Sequence, residues 1–522
     1  MREFSKNVLH AVYFEAIKPF DRLRRALCDR RQREWTVAVA LTAYAGVWTL
    51  FDLLSRRSED IHFDMAEMAA WSRDLALGSP KHPQMGAWIA GLWFAVFPYR
   101  DWAFYLLANS LAAFSLWIAW RISEDRLSDN KRVAGLAFLT VVPFFNLFAW
   151  KYNANTILIP LWAVATLFFL RSLETRSSVM AALAGLAAAA AMMGKYWSIF
   201  LLAGLGLAAL ISPHRRAYFR SSAPWITTAV GAFALAPHIY WLATHQFISF
   251  GYAMNSHSAR TFPLAVVDTV IYLLGSAAYI ALPLLLLWLF ARPKVSALPD
   301  TIWPQDRARR FVAAAFWLPI LLPIPIALLY DKRLASIWTM SALVLAPVVF
   351  LSSPKIRITA AAARQILAAS FVFALFALAV APARALRVHE TGPLNYGDAY
   401  RPLARAVDKQ WRRTADTPLA VVASWRNLAY GVSFYLRDRP LVLKLERDKK
   451  TPWVDEARLM REGVALVCAV EEPNCADAIE KIARGYTGVQ RQERAIARHY
   501  RGTASKAKPY LIITIPPQPA AG

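Results

Sequence analysis

The sequence predicts an all-helical, polytopic membrane protein that carries a small α/β domain at its C-terminal end. Three observations lead there. Of 522 residues, 57% are hydrophobic and only 18% charged, with mean hydropathy +0.32. Soluble domains average roughly 45–50% apolar and 25% charged residues. Apolar runs near the 20 or so residues needed to cross a bilayer crowd into the first 383 positions. Residues 384–522 contain none and alternate strand-like with helix-like segments. This distribution excludes a single soluble domain, a disordered chain and a disulfide scaffold.

Residues 1–34 form a polar, basic segment with Arg22, Arg24, Arg25, Arg30, Arg31 and Arg33. The positive-inside bias places it in the cytoplasm, and the span at 35–54 reads as a retained signal-anchor. A loop at 55–83 follows on the outside. Further spans are expected at 85–97 (a short run), 101–120, 133–150, 154–170, 178–193, 197–212, 224–243, 266–290, 311–330, 334–352 and 366–383. A cytoplasmic N-terminus and an outside tail require an odd number of crossings, eleven to thirteen, within a membrane domain at 35–383, and 85–97 is short enough to be a half-span instead of a full crossing. Basic segments at 171–176, 214–220, 292–310 and 355–364 read as cytoplasmic. Residues 152–155, 195, 245–260 and 331–333 then lie outside, as does the domain at 384–522. In that domain 419–424, 441–445, 464–470 and 510–515 read as strands, and 427–436 and 476–486 as helices.

Net charge is +25. Positive-inside loops and anionic lipid account for it, and the basic residues form no stripe suited to nucleic acid. Cys28, Cys468 and Cys475 match no metal or redox spacing; Cys468 and Cys475 either pair in an oxidising compartment or stay as buried thiols. No P-loop, dinucleotide fingerprint or H-E-x-x-H motif occurs. Histidines and carboxylates are present in the outer loops without ligand spacing, which leaves a divalent metal open.

The first outer loop concentrates chemistry. Met65, Met68, Ala69 and Leu75 recur at helical spacing, which suggests an interfacial helix lying apolar side down. Asp64 and Glu67 share one face of that helix, and Gly78-Ser79-Pro80 ends it. Lys81 and His82 stand before Pro83 at the mouth of the next span. Carboxylates beside cations at the lipid–water boundary can accept a proton and hold a phosphate. A solvated polar face would use the same residues.

The runs D-M-A-E (64–67), W-S-R-D-L-A-L-G (71–78) and K-H-P-Q-M-G-A-W (81–88) resemble the first external loop of GT-C glycosyltransferases. They are similar in particular to the bacterial branch related to protein O-mannosyltransferases and the lipid A aminoarabinose transferase (families 39 and 83). Gln84-Met85 departs from the Pro-Leu usual there. The resemblance implies an integral glycosyltransferase of the bacterial inner membrane. Its donor would be a polyprenyl-phosphate sugar and its acceptor an envelope lipid, polysaccharide or protein, on the periplasmic face. It implies Asp64 as general base with inversion at the anomeric carbon, and Glu67 orienting it or binding sugar hydroxyls. Lys81 and His82 would hold phosphate. Asn153 and Asn155 would bind sugar or hold Asp64, or else cap a helix. Lys195, next to Tyr196, would bind phosphate or snorkel to headgroups. His257 and Arg260 belong to a lid or a plain connector. Lys332 and Arg333 oppose the positive-inside bias, as carrier-phosphate ligands would. The run from Ser424 to Leu436 resembles the periplasmic domain of the same branch. A transporter or flippase for an envelope glycolipid is the alternative; its ionisable residues would be expected at the bilayer midplane rather than at helix ends.

Overall fold

A computed structural model describes residues 15, 17–73, 75–256, 261–392, 398–425, 427–445 and 456–518. Among these residues seven helices are long and apolar enough to cross a membrane: Arg33–Ser55, Asp101–Ile122, Leu158–Thr175, Ala223–Thr244, Phe262–Ala291, Arg307–Leu329 and Ala360–Thr391. Four shorter apolar helices, Met85–Phe94, Ser178–Gly194, Tyr196–Ile211 and Ser336–Leu351, complete the bundle. The protein is a multi-pass membrane protein. Many of its large apolar side chains face outward, among them Phe233, Leu274 and Trp288, as a lipid-facing surface requires. The bundle packs through small residues. A Cβ at Gly185 would stand 2.5 Å from the Thr227 carbonyl, so only glycine lets the Ser178–Gly194 and Ala223–Thr244 helices approach this closely.

Three expected spans take a different form. The run at 133–150 is helical only over Asp129–Thr140. Pro143 supplies no N–H and disfavours helix in the residue before it, so the chain passes into a 3-10 turn, Pro143–Phe145, and stays irregular up to Leu158. Irregular backbone at this depth is tolerated where it is buried in protein or lines a cavity, and this stretch does both. Pro323 divides Arg307–Leu321 from Pro323–Leu329. Ser336–Leu345 is a 3-10 helix that becomes α-helical at Ala346. The last membrane helix does not stop near 383 but continues to Thr391.

The C-terminal domain is built on five strands: β1 Val421–Ser424, β2 Leu441–Lys444, β3 Val464–Ala469, β4 Gln490–Ile496 and β5 Lys508–Ile515. Their order is β2-β1-β3-β5-β4. β1 runs parallel to β2 and β3, and β5 antiparallel to β3 and β4. The parallel crossovers carry the helices Leu428–Tyr435 and Glu456–Glu462. Helix Tyr400–Thr414 and strand β4 were not foreseen. β4 exposes most of its charged side chains, so it lacks the apolar run that marks a strand. Cys468 and Cys475 form a disulfide, and Cys28 is free.

The first-loop helix, Phe63–Trp71, does not lie open on the bilayer as expected. Met65, Ala66, Met68, Ala69 and Trp71 are buried in one core with Tyr430 and Val432 of the C-terminal domain and Ala87 and Ala90 of the short membrane helix. Its apolar face is covered by protein.

Candidate functional site

His62 begins the helix that carries Asp64. Its Nδ1 accepts the Asp64 backbone N–H at 3.1 Å, an N-cap that requires an unprotonated nitrogen. Burial pushes the His62 imidazole down to about 3. The Asp64 carboxylate lies 3.2 Å from Lys151 Nζ and 4.0 Å from Lys81 Nζ, and it accepts a bond of 3.1 Å from Asn153 Nδ2. Burial alone would raise this carboxyl, but the two ammonium groups outweigh it and hold it at about 2. One turn on, Glu67 is 1% exposed and accepts from Lys81 Nζ at 2.7 Å. Lys81 therefore joins both carboxylates, and despite burial they hold its ammonium above the usual lysine range.

The irregular segment after Pro143 supplies the opposite wall. Asn153 Oδ1 accepts from the Asn155 and Thr156 N–H groups, which turns its amide nitrogen toward Asp64. Asn155 Oδ1 accepts from Lys195 Nζ at 2.6 Å. Burial and the Lys81 charge push the Lys195 ammonium down to about 8. Asp64, Glu67, Lys81, His82, Asn153, Asn155 and Lys195 thus line one small polar pocket of about 40 Å³.

A larger cavity of about 250 Å³ adjoins it and shares Lys81, His82 and Lys195. Its other walls are mostly apolar: Trp197, Phe200, Phe250, Pro323, Ile326 and Trp338. Tyr196 lines it, stacked on Phe250, with its hydroxyl 2.9 Å from His238 Nε2. Lys332 and Arg333 stand in this cavity and not in the polar pocket. Lys332 donates to the Met254 carbonyl at 2.9 Å, and Arg333 is largely exposed, 3.9 Å from Asp268. His257 and Arg260 lie outside the described residues.

Lys151, His62 and His238 were not singled out in the sequence. Lys151 had a signal: a cation at an outer helix end, against the same bias that marked Lys332. His62 had only its place two residues before Asp64. Among the described residues no group of three or more His, Cys, Asp or Glu gathers, and Asp64 and Glu67 are taken by lysines, a set that does not fit a divalent cation.

Residues 81–241 match the family model described as dolichyl-phosphate-mannose-protein mannosyltransferase. The structure superposes on that of ArnT from Cupriavidus metallidurans bound to undecaprenyl phosphate with a TM-score of 0.60 at 13% identity, covering 91% of this chain and 97% of that one. The apo state of the same ArnT gives 0.57 over the same shares. The fold is the GT-C glycosyltransferase fold. No curated protein matches the sequence. The segment matched by the family model begins at Lys81 and takes in Asn153, Asn155 and Lys195, and Asp64 lies ahead of it.

Proposed function

We propose that this chain moves a sugar from a polyprenyl-phosphate donor to an envelope acceptor, a lipid, polysaccharide or protein, on the periplasmic face of a bacterial inner membrane. The observation that carries this reading is the pair of joined cavities. A polar pocket with a carboxylate shares Lys81, His82 and Lys195 with a groove walled by aromatic and aliphatic side chains. That sequence of environments matches a sugar, a phosphate and an isoprenoid chain in that order. The undecaprenyl phosphate in the ArnT structure supports the choice of carrier. The Cys468–Cys475 disulfide suits an oxidising compartment for the C-terminal domain.

The acceptor hydroxyl gives its proton to Asp64 as its oxygen attacks the anomeric carbon. The bond from that carbon to the phosphate oxygen breaks, and its electron pair leaves with the phosphate. Attack opposite the leaving group inverts the anomeric centre. Lys81 and Lys195 stand where the phosphate gains charge, the electrostatic contribution expected to be largest in such a step. By themselves the two lysines make Asp64 a weak base. A bound phosphate draws Lys81 toward itself and screens its charge, so the carboxylate gains basicity when the donor is in place. Lys332 and Arg333, at the outer end of the groove, guide the carrier headgroup inward.

The test is Asp64→Asn, which keeps size and membrane insertion but cannot take the proton. Transfer from a polyprenyl-phosphate sugar in proteoliposomes should drop at least a thousandfold. Normal turnover by the purified variant would remove Asp64 from the role of base.

A further inference from the structure

The polar pocket holds an odd number of charges. Counting lysines and carboxylates, Lys81 and Lys195 in its lining and Lys151, 3.2 Å from Asp64, contribute three positive charges, and Asp64 and Glu67 two negative ones. The surplus falls on Lys195. Among the described residues no carboxylate pairs with it, and its hydrogen-bond partner is the neutral amide oxygen of Asn155. His62 is neutral as the helix cap. Arg56 nearby is satisfied by Asp52 and Glu59. Lys332 and Arg333 line the adjoining cavity and not this pocket; the Arg333 side chain is 69% exposed, and Lys332 donates to the Met254 carbonyl. These side chains by themselves therefore carry one positive charge too many, beside a glutamate that is 1% exposed.

Resting on the reading above, we infer that the pocket selects a donor whose sugar carries no charge. A sugar linked through a phosphodiester brings one negative charge, which cancels the surplus. An amino sugar would bring its own ammonium and leave one positive charge uncompensated, and a uronic acid would leave one negative charge. Uncompensated charge in a largely buried site is costly, so donors of the wrong charge are used less well.

The balance also survives the reaction. The acceptor proton neutralises Asp64, which loses one negative charge. The carbon–oxygen bond breaks toward phosphorus, and the phosphodiester becomes a monoester with one more negative charge. A new glycosidic bond replaces the broken one, and the pocket total stays at zero from donor to product. Glu67 has a defined part in this. It is paired with Lys81 at 2.7 Å and takes no part in bond making or breaking, so it sets the total without entering the chemistry.

The experiment gives the full-length protein in proteoliposomes three donors on one polyprenyl phosphate at neutral pH: an uncharged hexose, an amino sugar and a uronic acid. The uncharged donor should exceed each of the others at least tenfold in kcat/KM. Lys151→Gln removes one positive charge and should raise the amino sugar relative to the hexose at least tenfold. Glu67→Gln removes one negative charge and should do the same for the uronic acid. Ratios between donors cancel a general loss of folded protein, and the wild-type ratios stand even if a variant fails to fold. Preference of the wild type for a charged sugar, or variants whose ratios do not move in these directions, would overturn the inference while glycosyl transfer itself stands. Failure of all three donors would bring down the proposed function, and this inference with it.

Discussion

Asp64 is held by Lys151, Lys81 and Asn153, and these partners set its response to pH. Its carboxyl sits at about 2, below the ordinary ~3.9 of an aspartate. The ionised form therefore stabilises the fold at neutral pH, and that contribution disappears as pH falls from about 4 through about 2. In Lys151→Ala the nearest cation is gone, so the acid limb of the transfer rate should move toward neutral pH; a pH–rate profile of kcat/KM that stays in place would detach Lys151 from Asp64. His62 behaves in the same sense for a different reason. Burial places it at about 3 against the ordinary ~6.5, so the unfolded chain takes the proton first. Its stabilising effect is whole above about pH 6.5 and fades on acidification toward about 3. His62→Asn can still cap the helix but has no proton to gain. Thermal melts between about pH 7 and 5 should lose part of their slope in this variant. At this scale Asp64, Glu67 and Lys81 were legible from spacing and from charge at a membrane boundary. That Asn153 faces Asp64 was not, because it depends on a turn made by Asn155 and Thr156.

The element that matters most is the helix Phe63–Trp71, and it is gripped from both ends by the C-terminal domain. Before it, Asp60 pairs with Arg401 and Arg498, and the Ile61 N–H donates to the Tyr435 hydroxyl at 2.9 Å. At its end, Trp71 Nε1 donates to the Tyr430 hydroxyl at 3.3 Å. Tyr435 also donates to Asp101 at 3.0 Å, so its hydroxyl links the loop to a membrane helix. Tyr435→Phe leaves the Ile61 N–H without its acceptor in a buried place, a loss of about 1–3 kcal/mol. Denaturant titration of the protein in detergent should show a lower midpoint, and transfer should fall with it. An unchanged midpoint would mean that water or the backbone replaces the hydroxyl. Spans are readable because the bilayer demands about 20 apolar residues from each. Their breaks are less so: Pro143 and Pro323 are visible in the sequence, but proline also sits inside Ala223–Thr244 and Phe262–Ala291, which stay helical. Which proline breaks a helix depends on what packs around it.

For the molecule as a whole, composition reveals the division between membrane bundle and C-terminal domain, whereas their joint depends on pairs more than three hundred residues apart. Asp60 and Arg401, or Ser58 and the Ala385 carbonyl at 2.7 Å, have no local signature. The two parts also differ in what oxidation does for them. Cys468 and Cys475 are separated by seven positions, and closing so small a ring contributes about 2.5 kcal/mol through the unfolded chain. Replacing both by serine should lower the stability of the C-terminal domain by about that amount, read by denaturant unfolding followed in the domain's own fluorescence, while the bundle stays inserted. No change on replacement would mean that Cys475 contributes only as a buried apolar side chain. The double grip on the Phe63–Trp71 helix also limits how such a protein can be recombined. A chimera that borrows its outer domain from a relative inherits arginines and tyrosines cut to another loop. Grafting should restore turnover only when residues 58–71 travel with the domain, so the unit of exchange is the pair and not either piece.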